Sequence, residues 1–215
     1  NGRSALNDTF VSIENLIGSH HDDILNGDQS ANILRGGLGA DILRGYGGAD
    51  TADYGSSDAF VNISLASGFA GGGAGSEAKG DTWISIENLA GSRFADRLNG
   101  DSGVNVLEGR AGADVINGNG GSDWASYASS VAGVNVSLLT GYTGGQVGSH
   151  ATGDTFLSIE NLTGSTFADI LNGNHSANRI DGGFGDDLLR GYLGADRFVF
   201  AAGYGNDTIA DFQDG

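Results

Sequence analysis

A chain of 215 residues sets 27 acidic side chains against ten Lys+Arg, for a formal charge of −17, and 40 of its residues are glycine. Glycine is costly to order and like charges resist compaction, so this composition asks for a cation partner that offsets both. It excludes nucleic acid, whose phosphates would be repelled, disulfides, for want of any cysteine, and a helical membrane span, for want of a long apolar run.

Methionine is absent even at residue 1, which reads as a segment of a longer protein. The first patterned stretch, TFVSIENLI at 9–17, carries the word SIENL, which begins at Ser12, Ser85 and Ser158, a spacing of 73 residues both times. Asp8, Asp81 and Asp154 share this register, as do Asp23, Asp96 and Asp169. The chain is three copies of one unit, about 8–80, 81–153 and 154–215, and residues 1–215 are expected to form one continuous body. TFVSIENLI itself scans as one nine-residue word, with Glu14 sixth and Leu16 eighth; Glu87 and Glu160 repeat the pattern. Those glutamates are either ligands or partners of a backbone N–H. Asp8, Asp81 and Asp154 are either ligands or turn residues.

From Gly18 the chain reads in words of nine: GSHHDDILN, GDQSANILR, GGLGADILR, GYGGADTAD. Unit two gives GSRFADRLN, GDSGVNVLE, GRAGADVIN, GNGGSDWAS, and unit three GSTFADILN, GNHSANRID, GGFGDDLLR, GYLGADRFV. In all twelve words position 1 is Gly, position 6 is Asp or Asn, and position 8 is apolar. Six Gly-rich residues turn, and three form a short strand whose middle residue points inward. Two words make one coil of 18 residues, and coils stack about 4.8 Å apart. Position-6 acids then lie over one another, Asp41 on Asp23 and Asp50 on Asn32. Bare carboxylates would repel, and a calcium ion bonded to oxygen at about 2.3–2.6 Å bridges that gap with help from turn carbonyls. The alternative is an Asx turn, in which each side chain caps its own bend.

The stretches between blocks, 54–90 and 127–163, hold FVNISL and GVNVSL, whose apolar–polar alternation predicts strands. GFAGGGAGSEAKG and GYTGGQVGSHATG read as loops. The connectors are therefore expected to be wider, less regular coils. No nucleophile elbow, zinc helix, phosphate loop or EF-hand pattern occurs, so the segment is not expected to be an enzyme. His20, His21 and His150 do not recur between units and read as solvent-exposed. Trp83, Trp124, Tyr46, Tyr54, Tyr127 and Tyr192 offer either packing positions or a sugar-stacking face.

GGLGADILR and GGFGDDLLR fit every position of the G-G-x-G-x-D-x-U-x nonapeptide, and the whole array resembles the RTX, or hemolysin-type, calcium-binding repeats. The resemblance implies an all-β parallel β-roll, a right-handed solenoid with calcium ions in the turns between coils. Its ligand roles carry over to Asp23, Asp41, Asp50, Asp96, Asp114, Asp123, Asp169, Asp187 and Asp196, with Asn32, Asn105 and Asn178 as weaker, uncharged counterparts. Backbone carbonyls would come from positions such as Gly37, Gly39, Gly48, Gly112, Gly121, Gly185 and Gly194. The ending GADRFVFAAGYGNDTIADFQDG resembles the closing segment of serralysin-type secreted proteins, which implies a cap at Phe198 and Phe200 and a further ion at Asp207 and Asp211. Resemblance also implies type I secretion to the outside of a bacterial cell and folding on calcium there, beside a partner domain of the same chain. The rival readings are a polysaccharide-binding or adhesion module, as in the R-modules of alginate epimerases, a calcium-using β-helix lyase, and an ice-binding solenoid.

Overall fold

The computed structural model describes residues 13–212. Every regular element among them is a strand, and all but two of the strands run in parallel ladders. One face is a nine-stranded sheet whose strands follow chain order: Asn15–Ile17, Ile33–Arg35, Thr51–Asp53, Asn88–Ala90, Val106–Glu108, Trp124–Ser126, Asn161–Thr163, Arg179–Asp181 and Arg197–Val199. Its middle residues stack as Leu16, Leu34, Ala52, Leu89, Leu107, Ala125, Leu162, Ile180 and Phe198, the position-8 residues of successive coils. From Leu34 to Ile180 this row is fully buried, so the inward column is a continuous apolar core. Each Leu or Ile buried there contributes about 1.5–3 kcal/mol. This is a parallel β-roll.

The opposite face breaks into three sheets. Inside a block the register is 18 residues, as the pairs Leu25↔Leu43, Leu98↔Ile116 and Leu171↔Leu189 require. Each connector supplies three strands to this face, two of them in its parallel ladders, for one on the other. Thr82–Ile84 pairs back onto Ile42–Arg44, whereas Val61–Ser64 pairs forward onto Arg97–Asn99. In the next connector Thr155–Leu157 pairs back onto Val115–Asn117, and Val134–Ser137 pairs forward onto Ile170–Asn172.

FVNISL and GVNVSL form strands as the alternation predicts, with Val61, Ile63, Val134 and Val136 inward. The glycine-rich stretches read as loops instead begin with antiparallel return strands, Phe69–Gly72 and Thr143–Gly145. Glycine hid them: with no side chains to alternate, the period-2 signal vanishes.

TWISIENLA, the second copy of TFVSIENLI, corrects the nine-residue reading. It holds two strands, Thr82–Ile84 on one face and Asn88–Ala90 on the other, joined by Ser85, Ile86 and Glu87. Ser85 takes φ 53° and Ser158 φ 49°, and Ile86 and Ile159 bury their side chains inside the bend. Leu89 does keep its position-8 register. Residues 9–12 of the first copy, Ser12 among them, lie outside the described residues, as does Asp8.

Candidate metal centres in the turns

A ladder of carboxylates runs up both edges of the roll. Position 6 precedes each strand, so its side chain enters the turn while its backbone N–H faces the next coil. Asp41 Oδ1 accepts from Asp23 N at 2.8 Å, Asp50 from Asn32 N at 2.8 Å and Asp114 from Asp96 N at 2.7 Å. Asp123, Asp187 and Asp196 take the N–H of Asn105, Asp169 and Asn178 in the same way. The connectors continue both columns. Asp81 and Asp154 accept from Asp41 N and Asp114 N, and Glu87 and Glu160 accept from Asp50 N and Asp123 N.

The ladder also explains the invariant glycine at position 1. A Cβ on Gly36 would lie 2.1 Å from Asp41 Oδ2, and one on Gly109 2.2 Å from Asp114 Oδ2. No side chain fits against a carboxylate at that distance.

Beyond this shared rung the turns fall into two kinds. In the first word of each unit the second carboxylate oxygen is capped at home: Asp23, Asp96 and Asp169 Oδ2 accept the N–H and hydroxyl of Ser19, Ser92 and Ser165. In the second word Asn32, Asn105 and Asn178 accept the N–H of Asp28, Asp101 and Asn174 through Oδ1. The amides of Asn105 and Asn178 donate to Glu87 O and Glu160 O. In these six turns the position-6 side chain caps its own bend, from the N–H four residues before it.

The third and fourth words are built otherwise. Their positions 2 and 4 are left-handed: Gly37 and Gly39, Tyr46 and Gly48, Arg110 and Gly112, Asn119 and Gly121, Gly183 and Gly185, Tyr192 and Gly194. Non-glycine residues rarely adopt φ near +70°, and four do so here at one place in the motif. In the same turns Asp41, Asp50, Asp114, Asp123 and Asp187 are essentially fully buried, and each leaves Oδ2 without a hydrogen-bond partner. Asp196, near the chain's end, is half-buried.

A buried carboxylate oxygen with no donor costs more than any net gain the fold could draw from it. Burial raises Asp41 and Asp50 above the usual carboxylate range. Asp114 rises to about 8, through burial and then the charges of Asp154 and Asp96. Asp123 and Asp187 rise to about 6, again through burial first and neighbouring acids second.

Backbone carbonyls line the same turns. The position-4 carbonyls of the capped turns point at the position-4 glycines one coil on: an added Cβ would meet Ser30 O from Gly48 at 2.5 Å, Phe94 O from Gly112 at 2.6 Å and Phe167 O from Gly185 at 2.6 Å. Among the described residues no three His, Asp or Glu side chains converge, so a cation here takes carbonyls for most of its shell. An anionic Oδ2 together with backbone carbonyls of the stacked turns is the donor set of a hard cation such as calcium. The residues present fit the ion. Those that would hold it are the position-6 aspartates of the open turns with carbonyls of both stacked turns. The ion would supply the positive charge that these carboxylates lack.

Sequence reasoning left Asp81 and Asp154 undecided, and the structure puts both in the position-6 column. Their Oδ2 atoms are capped by buried tyrosines, from Tyr54 OH at 3.0 Å and Tyr127 OH at 2.8 Å. Burial lifts Asp81 to about 7 and Asp154 to about 6. GDTW and GDTF could have shown this, since they carry the Asp-x-apolar end of a word. Glu87 and Glu160 hold backbone N–H groups, one of the two roles left open for them.

A thirteenth word was also passed over. AGYGNDTIA, 202–210, has left-handed Gly203 and Gly205, and Asp207 Oδ1 accepts from Asp187 N at 3.1 Å. Its register of 20 rather than 18 broke the period. Asp211 takes the N–H of Tyr192 at 2.7 Å and so caps the preceding open turn. Phe198 packs on the core, whereas Phe200 is exposed.

His20, His21 and His175 are exposed and His150 is half-buried; they form no ligand set. The aromatic residues divide: Tyr54 and Tyr127 are core, and Trp83 packs inward with Nε1 donating to Tyr54 OH at 3.1 Å.

A parallel β-roll whose third and fourth turns in each unit hold uncompensated buried carboxylates beside backbone carbonyls is a scaffold for divalent cations. The family of the RTX calcium-binding nonapeptide repeat matches in four copies, over residues 17–52, 90–125, 163–198 and 176–205, together just over half of the chain. The chain belongs to that family, and its repeats are calcium-binding repeats. No curated protein matches it. No helix among the described residues is long and apolar enough to cross a membrane.

Proposed function

We propose that this segment is a calcium-coupled folding module of a larger exported bacterial protein. Where calcium is scarce, as in a cytoplasm, the acidic glycine-rich chain stays unfolded. Outside, calcium enters the open turns and its binding free energy becomes folding free energy, which drives and locks the exported state. The ions sit at Asp41, Asp50, Asp114, Asp123, Asp187, Asp196 and Asp207. The capped turns at Asp23, Asn32, Asp96, Asn105, Asp169 and Asn178 lend carbonyls but no carboxylate. The segment performs no catalysis of its own, and any reaction belongs to a partner domain of the parent chain.

The observation that carries this reading is the set of five buried Oδ2 atoms without a donor, all in turns with two left-handed positions. Neutral side chains would fold without help; these cannot, unless a cation or a proton meets them.

Far-UV circular dichroism during a calcium titration from a chelated start, with magnesium as control, tests it. A cooperative coil-to-β transition is expected with calcium and not with magnesium. Asp41→Ala should raise the calcium midpoint well beyond the change from Asp58→Ala, whose carboxylate lies exposed beside Arg93. A spectrum already β-rich in chelator at neutral pH, and indifferent to calcium, would sink the proposal.

A further inference from the structure

One outward column of the nine-stranded sheet differs in charge from the rest of the molecule. Arg179 and Arg197 are directly registered on neighbouring strands, and both are exposed. Like charges opposite each other on a ladder are destabilising. Among the described residues no other two cations pair this way, and no carboxylate lies within ion-pair distance of either. Most other described arginines have partners: Arg35 and Arg110 grip Asp53, Arg93 meets Asp58, and Arg44 and Arg190 donate to Asn26 and Asn172, while Arg97 is exposed but stands between Val115 and Asn62 with no second cation beside it. In a chain of charge −17, two adjacent arginines without acids are a conspicuous omission.

The same column holds Trp124, two coils before Arg179. Being at position 7 it faces outward, unlike Trp83, and the Arg179 guanidinium lies 5.3 Å from its ring centroid. This contact aims the guanidinium along the sheet and limits its freedom. Asn161, between them, is held in place: its side chain accepts from Arg179 N at 2.9 Å and donates to Ser122 Oγ at 3.0 Å. Together with Val104 these residues line a shallow groove of about 310 Å³.

We infer that this groove is a subsite for an acidic polysaccharide, with the two guanidiniums taking the carboxylate of a uronic-acid ring. An aromatic edge and apolar floor beside two unpaired cations suit a rigid ring with one C–H face and a carboxylate at its rim. The negative charge of the rest of the roll repels a polyanion, so it engages at this column alone. The inference is independent of which turns hold calcium; it needs only the folded roll.

The test titrates the calcium-saturated protein, at buffered free calcium, with a hyaluronan hexasaccharide and follows tryptophan emission. Cellohexaose and hexaglutamate serve as neutral and peptide comparisons. Saturable binding is expected that weakens about tenfold or more in Arg179→Gln/Arg197→Gln and is unchanged in Arg93→Gln. Both side chains point outward, so the calcium-induced circular dichroism transition of the double variant should match the parent and exclude misfolding. No saturable hexasaccharide binding, or binding indifferent to the double variant, overturns the inference. Equal binding of hexaglutamate overturns it too, because the groove would then read charge alone.

Discussion

Open and capped turns share a glycine, a position-6 side chain and a rung to the neighbouring coil, yet they differ in what the second side-chain oxygen meets. In GSRFAD, Ser92 folds over Asp96 with its N–H and hydroxyl, and the turn is complete by itself. In GRAGAD, left-handed Arg110 and Gly112 leave Asp114 Oδ2 buried with no donor. Thus a three-residue change converts a self-sufficient bend into one that needs an outside charge. Up each edge a capped turn, an open turn and a connector follow in that order, and a capped turn serves as carbonyl floor for the open turn above it.

The sharpest way to break this comparison is to remove one carboxylate of each kind. Asp114→Ala should raise the calcium midpoint by about 10- to 100-fold, the worth of one charge-assisted contact. Asp96→Ala should instead destabilise the calcium-saturated roll in urea with a much smaller change in midpoint. Equal shifts from the two variants would erase the distinction.

Acidity should replace the metal in part. The buried open-turn acids titrate above the ordinary carboxylate value, Asp114 at about 8 and Asp123 and Asp187 at about 6. The metal-free fold therefore binds more protons than the unfolded chain, and its stability rises as pH falls from about 8 toward the unfolded carboxylate value of about 4. In chelator, β-structure should grow over that window. Calcium binding should release protons, read by calorimetry in two buffers of different ionisation heat. Loss of β-structure on mild acidification in chelator would contradict the assignment.

Tyr127→Phe should turn a capped acid into an orphan. Asp154 Oδ2 would lose its hydroxyl, at a cost of about 1–3 kcal/mol measured by urea unfolding at saturating calcium. The smallest effect belongs to Ser165→Ala, which removes one of two donors to Asp169 Oδ2 and should cost about 1 kcal/mol while leaving the calcium midpoint nearly unchanged.

The roll was legible because its strongest constraints are local and repeated. Gly at position 1 answers the carboxylate clash, and an apolar position 8 fills the core, so both fall in columns. What stayed hidden was conformational. Position 2 is left-handed in Tyr46, Arg110, Asn119 and Tyr192, of which only the asparagine favours that backbone. The usable signal was Gly at position 4 together with Asp at position 6. Gly103 shows why both are needed: it sits at position 4 of a word with Asn105 and takes the capped form. The truncated Ser85–Glu87 bend escaped because its nine letters contained two strands, and the word ending in Asp207 because two extra residues shifted it out of phase.

The rungs between coils all point the same way: each acid grasps the backbone of the coil that precedes it in the chain. The roll is therefore laid like roof tiles, every course pinned by the next. Stripping coils from the C-terminal side leaves backbone donors without their clasp, whereas stripping them from the N-terminal side returns carboxylates to water, where they are at ease. A chain assembled in this way has a head and a tail, and it frays from the tail.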